Sequence, residues 1–136
     1  MRQKLIHSRT SVYNISYHIV WSVKYRRKVL TPAIAKFLQE EAVKIGTEKG
    51  FIVHLFNVGE LDHVHTFVSA APKVSISYIV KMLKGILGRR VFMEFPELRE
   101  KLRHGVIWNH SFYVETVGSV SEENIRRYIE KQTNAY

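Results

Sequence analysis

The chain has 136 residues, 46% hydrophobic and 24% charged, enough for one folded domain with a core and too few for two ordinary ones. It has no cysteine, which excludes a disulfide framework and any thiolate metal site and fits a cytoplasmic protein. With 21 Lys and Arg against 12 Asp and Glu, the net charge is +9, so a polyanion is the expected partner.

The first ten residues, MRQKLIHSRT, are basic without a following apolar run, so no signal peptide is expected. No segment has the apolar length to span a bilayer, and no basic amphipathic helix stands apart from the globular pattern. Nucleic acid is therefore expected ahead of a membrane. We find no repeat or linker and expect a single domain over 1–136.

Ser11–Arg27 is rich in β-branched and aromatic residues and predicts a long first strand. Thr31-Pro32 opens a helix running to Gly50, with apolar residues at Ile34, Phe37, Leu38, Ala42 and Ile45. FIVHLFNVGE, residues 51–60, predicts a second strand, and Gly59–Asp62 a tight turn into a third, DHVHTFVSAAP. A second helix covers Ser75–Phe95, PELREKL adds a short turn, and residues 106–118 predict a fourth strand. Residues 119–136 predict a last helix, with Ser121 as N-cap and Glu122 and Glu123 at its positive end.

The order β-α-β-β-α-β-α is an α+β pattern. Its first six elements form the split βαβ, ferredoxin-like arrangement: a four-stranded antiparallel sheet with helices on one face and the other face open.

The third strand carries His63 and His65 around Val64. Alternation puts both imidazoles on one face, about 6.5–7 Å apart along the strand, while Val64, Thr66, Val68 and Ala70 face the helices. Leu61 and Phe67 share the histidine face. Two such imidazoles can reach one metal ion. Taken alone the pair reads more simply as two half-exposed strand histidines, and His7, His18, His54, His104 and His110 read as scattered surface or satisfied side chains.

The last helix offers what a functional reading needs. Tyr128 and Gln132 lie four residues apart, hence on one helical face. Gln132 brings a neutral oxygen suited to a hard divalent cation, and Tyr128 a phenolic oxygen able to act as a nucleophile. Packing and solvation are the plainer readings of both.

Cations cluster in two places. Lys24, Arg26, Arg27 and Lys28 leave the first strand, and Lys81, Lys84, Arg89 and Arg90 line the second helix. Such groups contact phosphates and make binding salt-dependent. Gly85 and Gly88 weaken that helix, which a close approach of DNA or a partner helix would explain. Trp108 and Tyr113 are candidates for base stacking, though strand aromatics are more often core. Glu60 and Asp62 are candidate acceptors behind the histidines.

Taken together, YHIVWSVKYRRKVL, DHVHTFVSAAP, SISYIVKMLKG with RRVFMEFPEL, VIWNHSFYVETVG and YIEKQ span nearly the whole chain. In that order they resemble the HUH endonuclease superfamily, and within it the small single-tyrosine transposases (transposase A) of the simplest bacterial and archaeal insertion sequences. The resemblance implies His63, His65 and Gln132 as ligands of a divalent metal, Mg²⁺ or Mn²⁺, and Tyr128 as nucleophile. It also implies a homodimer acting on single-stranded DNA with subterminal hairpins, cut and rejoined through a 5′-phosphotyrosine. Three alternatives stay open: a non-catalytic nucleic-acid-binding module, a domesticated nuclease acting on repeat palindromes, and a metallohydrolase using water in place of Tyr128.

Overall fold

The computed structural model describes residues 6–7, 12–13, 15–102 and 105–118. A two-residue pair, β1 (Ile6–His7) with β2 (Val12–Tyr13), precedes the main sheet. Then follow β3 (Ser16–Ser22), α1 (Pro32–Lys49), β4 (Ile52–Gly59), β5 (His63–Ser69), α2 (Ile76–Glu94), α3 (Leu98–Lys101) and β6 (Tyr113–Val117). The four long strands lie in the order β4-β5-β3-β6, every neighbour antiparallel. This is the split βαβ order, with the two βαβ units interleaved so that β5 and β3 are central. The expected last helix, with Tyr128 and Gln132, lies outside the described residues.

Local chemistry accounts for the helix ends. Thr31 Oγ1 accepts the backbone N–H of Ile34 at 3.4 Å, Pro32 occupies the first turn, and Gly50 ends α1 in the left-handed region at φ 88°. Ser75 Oγ likewise accepts from the N–H of Tyr78 at 3.1 Å to start α2. Ile34, Leu38, Ala42 and Ile45 of α1 and Ile79, Leu83, Leu87 and Val91 of α2 are buried in one core with Ile19, Trp21, Val64 and Val68 of the central strands. Arg90 joins the two helices, with contacts of 3.0 Å to Glu41 and 3.1 Å to Glu48.

The first and fourth strands are shorter than the sequence predicts. β3 stops at Ser22 because the chain turns through Tyr25 (φ 59°) and Arg26 (φ 53°), a conformation unfavourable for side chains with a Cβ. Residues 106–112 meet the sheet only through the bridge of Trp108 to Val23. The Lys84 ammonium gathers the carbonyls of Asn109, His110 and Ser111 at 2.5, 3.3 and 3.4 Å, and this bends the chain away from a ladder.

The histidine face of the sheet is not open at its centre. All seven residues of β5 are buried, so His63, His65 and Phe67 are as enclosed as Val64, Thr66 and Val68 on the helix side. Leu61 belongs to the turn rather than the strand and is exposed.

Candidate active site

β5 supplies both candidate ligands. His63 is 3% and His65 8% exposed, and their ring centroids are 4.9 Å apart at 75°. Gly59 stands opposite His63 in the β4–β5 register, and its missing side chain leaves the room that the ring fills. Their turn-side neighbour Asp62 is buried, and its Oδ1 accepts from His63 Nδ1 at 2.7 Å.

His65 is held from the other side. Its Nδ1 lies 3.1 Å from Nε2 of His18, whose Nδ1 in turn lies 3.1 Å from Oε1 of Glu115. Tyr113 donates its hydroxyl to the other oxygen of Glu115 at 3.0 Å. His18 is fully buried, with its ring stacked between His65 and Phe67.

The electrostatics suit metal ligation. His65 is pushed down to about 4, first by burial and then by the positive charge that His63 and His18 would carry. It is therefore neutral at pH 7, the state in which an imidazole binds metal. Burial opposes ionisation of Asp62. The His63 hydrogen bond and the charges of Arg26 and Lys28 outweigh it and hold the carboxyl below its ordinary value.

The donor set fits a divalent cation in part. Asp62 and His18 engage the Nδ1 atoms of His63 and of His65, so each ring has a polar group at that nitrogen and Nε2 is the atom with which it could hold a cation. Among the described residues no three His, Cys, Asp or Glu side chains come together to hold a metal. Gln132, the expected third ligand, and Tyr128, the expected nucleophile, lie outside those residues.

A cavity of about 250 Å³ opens beside His63, lined by Val20, Ser22, Arg26, Ser111, Phe112 and Tyr113. It joins a candidate ligand, a cation and two partly exposed aromatic rings.

The eight cations expected at DNA separate into distinct groups. Arg26 and Lys28 reach Asp62 at 3.4 and 3.6 Å, which puts them at the site. Lys24 lies over the ring of exposed Tyr25. Lys84 and Arg90 are engaged by backbone carbonyls and by glutamates of their own chain, so they hold the fold together. Arg27, Lys81 and Arg89 are exposed and form no ion pair among the described residues.

Trp108 is core, its Nε1 donating to the Lys84 carbonyl at 3.1 Å, whereas Tyr113 is half exposed. The close approach at Gly88 comes from Ile107 and Trp108 of the same chain, and nothing lies within 4 Å of a Cβ at Gly85. Of the two readings open for His18, surface or satisfied, the structure shows the satisfied one: it is buried and paired with His65 and Glu115. No local pattern marks it, since Val20 interrupts the polar residues Ser16, His18 and Ser22 on its face. Its partners stand 47 and 97 residues away.

A four-stranded split βαβ sheet with an H-x-H pair on a central strand is the frame of a DNA-processing HUH protein. The family profile described as "Transposase IS200 like" matches residues 11–132, and the chain belongs to this family of single-tyrosine transposases. It is 40% identical over 121 residues to the ISDra2 transposase TnpA of Deinococcus radiodurans, covering 89% of this chain and 86% of that one. It is 31% identical over 136 residues to the transposase for insertion sequence element IS200 of Salmonella typhimurium, covering 96% and 82%. A crystal structure of a Deinococcus radiodurans R1 transposase superposes with a TM-score of 0.76 at 36% identity, over 93% of this chain and 97% of the other. A REP-associated tyrosine transposase bound to a REP hairpin shares the fold, with a TM-score of 0.57 at 13% identity over 92% and 68%. Among the described residues no helix is long and apolar enough to cross a membrane.

Proposed function

We propose that this transposase cuts and rejoins single-stranded DNA at insertion-sequence ends through a covalent link to Tyr128. The observation that carries the reading is the buried His63–His65 pair, each ring tied at Nδ1, in a chain of the IS200-like family. The relatives favour an insertion-sequence substrate: identity is 31–40% to two insertion-sequence transposases, against 13% to the REP-associated enzyme.

His63 and His65, with Gln132 as third ligand, would hold a divalent cation, Mg²⁺ or Mn²⁺. The cation supplies charge withdrawal at the scissile phosphate. Tyr128 attacks the phosphorus in line. The Tyr–O–P bond forms, the bond to the 3′ oxygen breaks, and that oxygen leaves as a 3′-OH after taking a proton. The phosphotyrosine keeps the energy of the broken link, so a different 3′-OH can reverse the step without ATP. Arg26 and Lys28 lie close enough to the site to guide the flanking phosphates, with Arg27, Lys81 and Arg89 adding non-specific affinity. A hairpin-bound structural neighbour supports folded single strands as the ligand.

One nucleophilic tyrosine per chain makes two chains the minimum for holding two cut ends at once. We therefore propose a homodimer whose sites are shared, Tyr128 and Gln132 of one chain serving His63 and His65 of its partner, with residues 1–136 as one domain acting in the cytoplasm. The test uses labelled single-stranded element ends with Mg²⁺ or Mn²⁺. Wild-type protein forms an adduct that survives denaturation, and Tyr128→Phe and His63→Ala each form none. Mixing the two variants restores adduct only on the chain that keeps Tyr128. Adduct from Tyr128→Phe alone overturns the nucleophile, and failure of the mixture overturns the shared site.

A further inference from the structure

We propose that His18, held by Glu115, is a positioning residue that fixes the tautomer of His65 and so presents its Nε2 to the metal. The inference rests on the reading of His65 as a ligand.

Protons can be followed along three strands. β6 places Glu115 directly opposite His18 on β3, and the β3–β5 register sets His18 diagonally beside His65. An ionised carboxylate only accepts, so the 3.1 Å contact to Glu115 requires the proton of His18 on Nδ1. In the singly protonated ring this leaves a lone pair at Nε2. The 3.1 Å contact from there to His65 Nδ1 requires the proton of His65 on Nδ1. The lone pair of His65 is thereby assigned to Nε2.

Packing holds the arrangement still. The His18 ring is 4.8 Å from Phe67 and 5.3 Å from His65, inclined 12° to each, and fully buried. His63 receives the same treatment from Asp62 directly, at 2.7 Å. At His65 the carboxylate acts at one remove, and His18 carries the influence of Glu115 across one strand. Groups behind a metal ligand typically change metal affinity by about 10–100-fold when removed.

The experiment uses the full chain and Mn²⁺ as probe. Nitrogen-15 NMR of the metal-free protein reads the His65 tautomer, and EPR titration reads Mn²⁺ affinity. Wild type is expected to carry the Nδ1–H tautomer. His18→Phe keeps the stacked ring but removes the acceptor, so the Nε2–H form should appear and Mn²⁺ affinity fall by about tenfold or more. Glu115→Ala, on a more exposed side chain, should act in the same direction if His18→Phe fails to fold. Glu115→Gln keeps an acceptor for His18 and should restore both readings toward wild type. An unchanged tautomer or affinity in His18→Phe and Glu115→Ala overturns the proposal, as does an Nε2–H His65 in wild type. Wild type that binds no Mn²⁺ overturns the ligand reading and this role with it. Wild type that binds while the variants are unaltered removes only the role of His18.

Discussion

The imidazole of His63 occupies the space that a side chain at Gly59 would fill: a Cβ there would lie 2.6 Å from Cε1 of the ring and closer still to Nε2. Gly59→Ala therefore pushes the ring off Nδ1···Asp62 geometry without touching the core. We expect Mn²⁺ affinity to fall by about tenfold or more, in the range of lost support behind a ligand. The cooperative melt should persist. EPR titration beside thermal unfolding checks this, and retained affinity would show that the ring is not fixed by that neighbour.

Two glycines of α2 separate helix propensity from packing. Gly85→Ala adds a methyl in open space and should stabilise by about 1 kcal/mol. At Gly88 the new Cβ would meet Ile107 Cγ2 at 3.3 Å, tight enough to take back part of the same gain. Thermal melts should rank Gly85→Ala above both Gly88→Ala and wild type. Equal gains would mean that the 105–110 segment yields freely.

The cations should divide between stability and affinity. Arg27→Ala or Lys81→Ala should weaken binding of single-stranded DNA and flatten the dependence of log K on log salt by about 0.7 for each phosphate no longer neutralised. Arg90→Ala should leave that slope unchanged and lower stability by about 1 kcal/mol or less, since its ion pairs are partly exposed. A reduced slope for Arg90→Ala would place DNA on the α1–α2 face.

The same helix junction has a pH signature. Lys44, foremost through its hydrogen bond, and Arg90 hold the Glu41 carboxyl below its ordinary 4.5, against the opposing effect of burial. A depressed carboxyl contributes stability above its unfolded value and loses it as pH falls through the folded one. Wild type should therefore melt higher than Glu41→Gln at pH 7, and the two should converge as pH drops below 4.5. A gap of constant size across that range would remove the ionised carboxyl from the account.

The order of the first six elements was legible because hydrophobic period and caps are local: Thr31, Pro32, Gly50 and Ser75 mark helix ends by their own chemistry. The histidine pair was legible for the same reason, since alternation alone puts His63 and His65 on one face. His18 was not, because its role depends on which strands become neighbours. The end of β3 was also hidden. Tyr25 and Arg26 adopt positive φ without glycine, so residue type gave no sign of the turn. Residues 106–112 have strand composition, and only the reach of Lys84 to three carbonyls explains why they bend. The enclosure of β5 on both faces likewise belongs to assembly rather than to any local pattern.

The turn at Tyr25–Arg26 faces a second left-handed pair, Glu60–Leu61, at the tip of the β4–β5 hairpin. Val23 N–H donates to the Asp62 carbonyl at 2.8 Å, Leu30 N–H to the Leu61 carbonyl at 2.9 Å, and Lys28 to the Glu60 carbonyl at 3.1 Å. Three hydrogen bonds thus join the basic loop to the acidic tip. A phosphate drawn to Arg26 or Lys28 competes with Asp62 for its counter-charges, and Asp62 is what holds His63. On the proposed reading, a DNA strand seated on the basic loop would reach the His63 imidazole through Asp62, two contacts away.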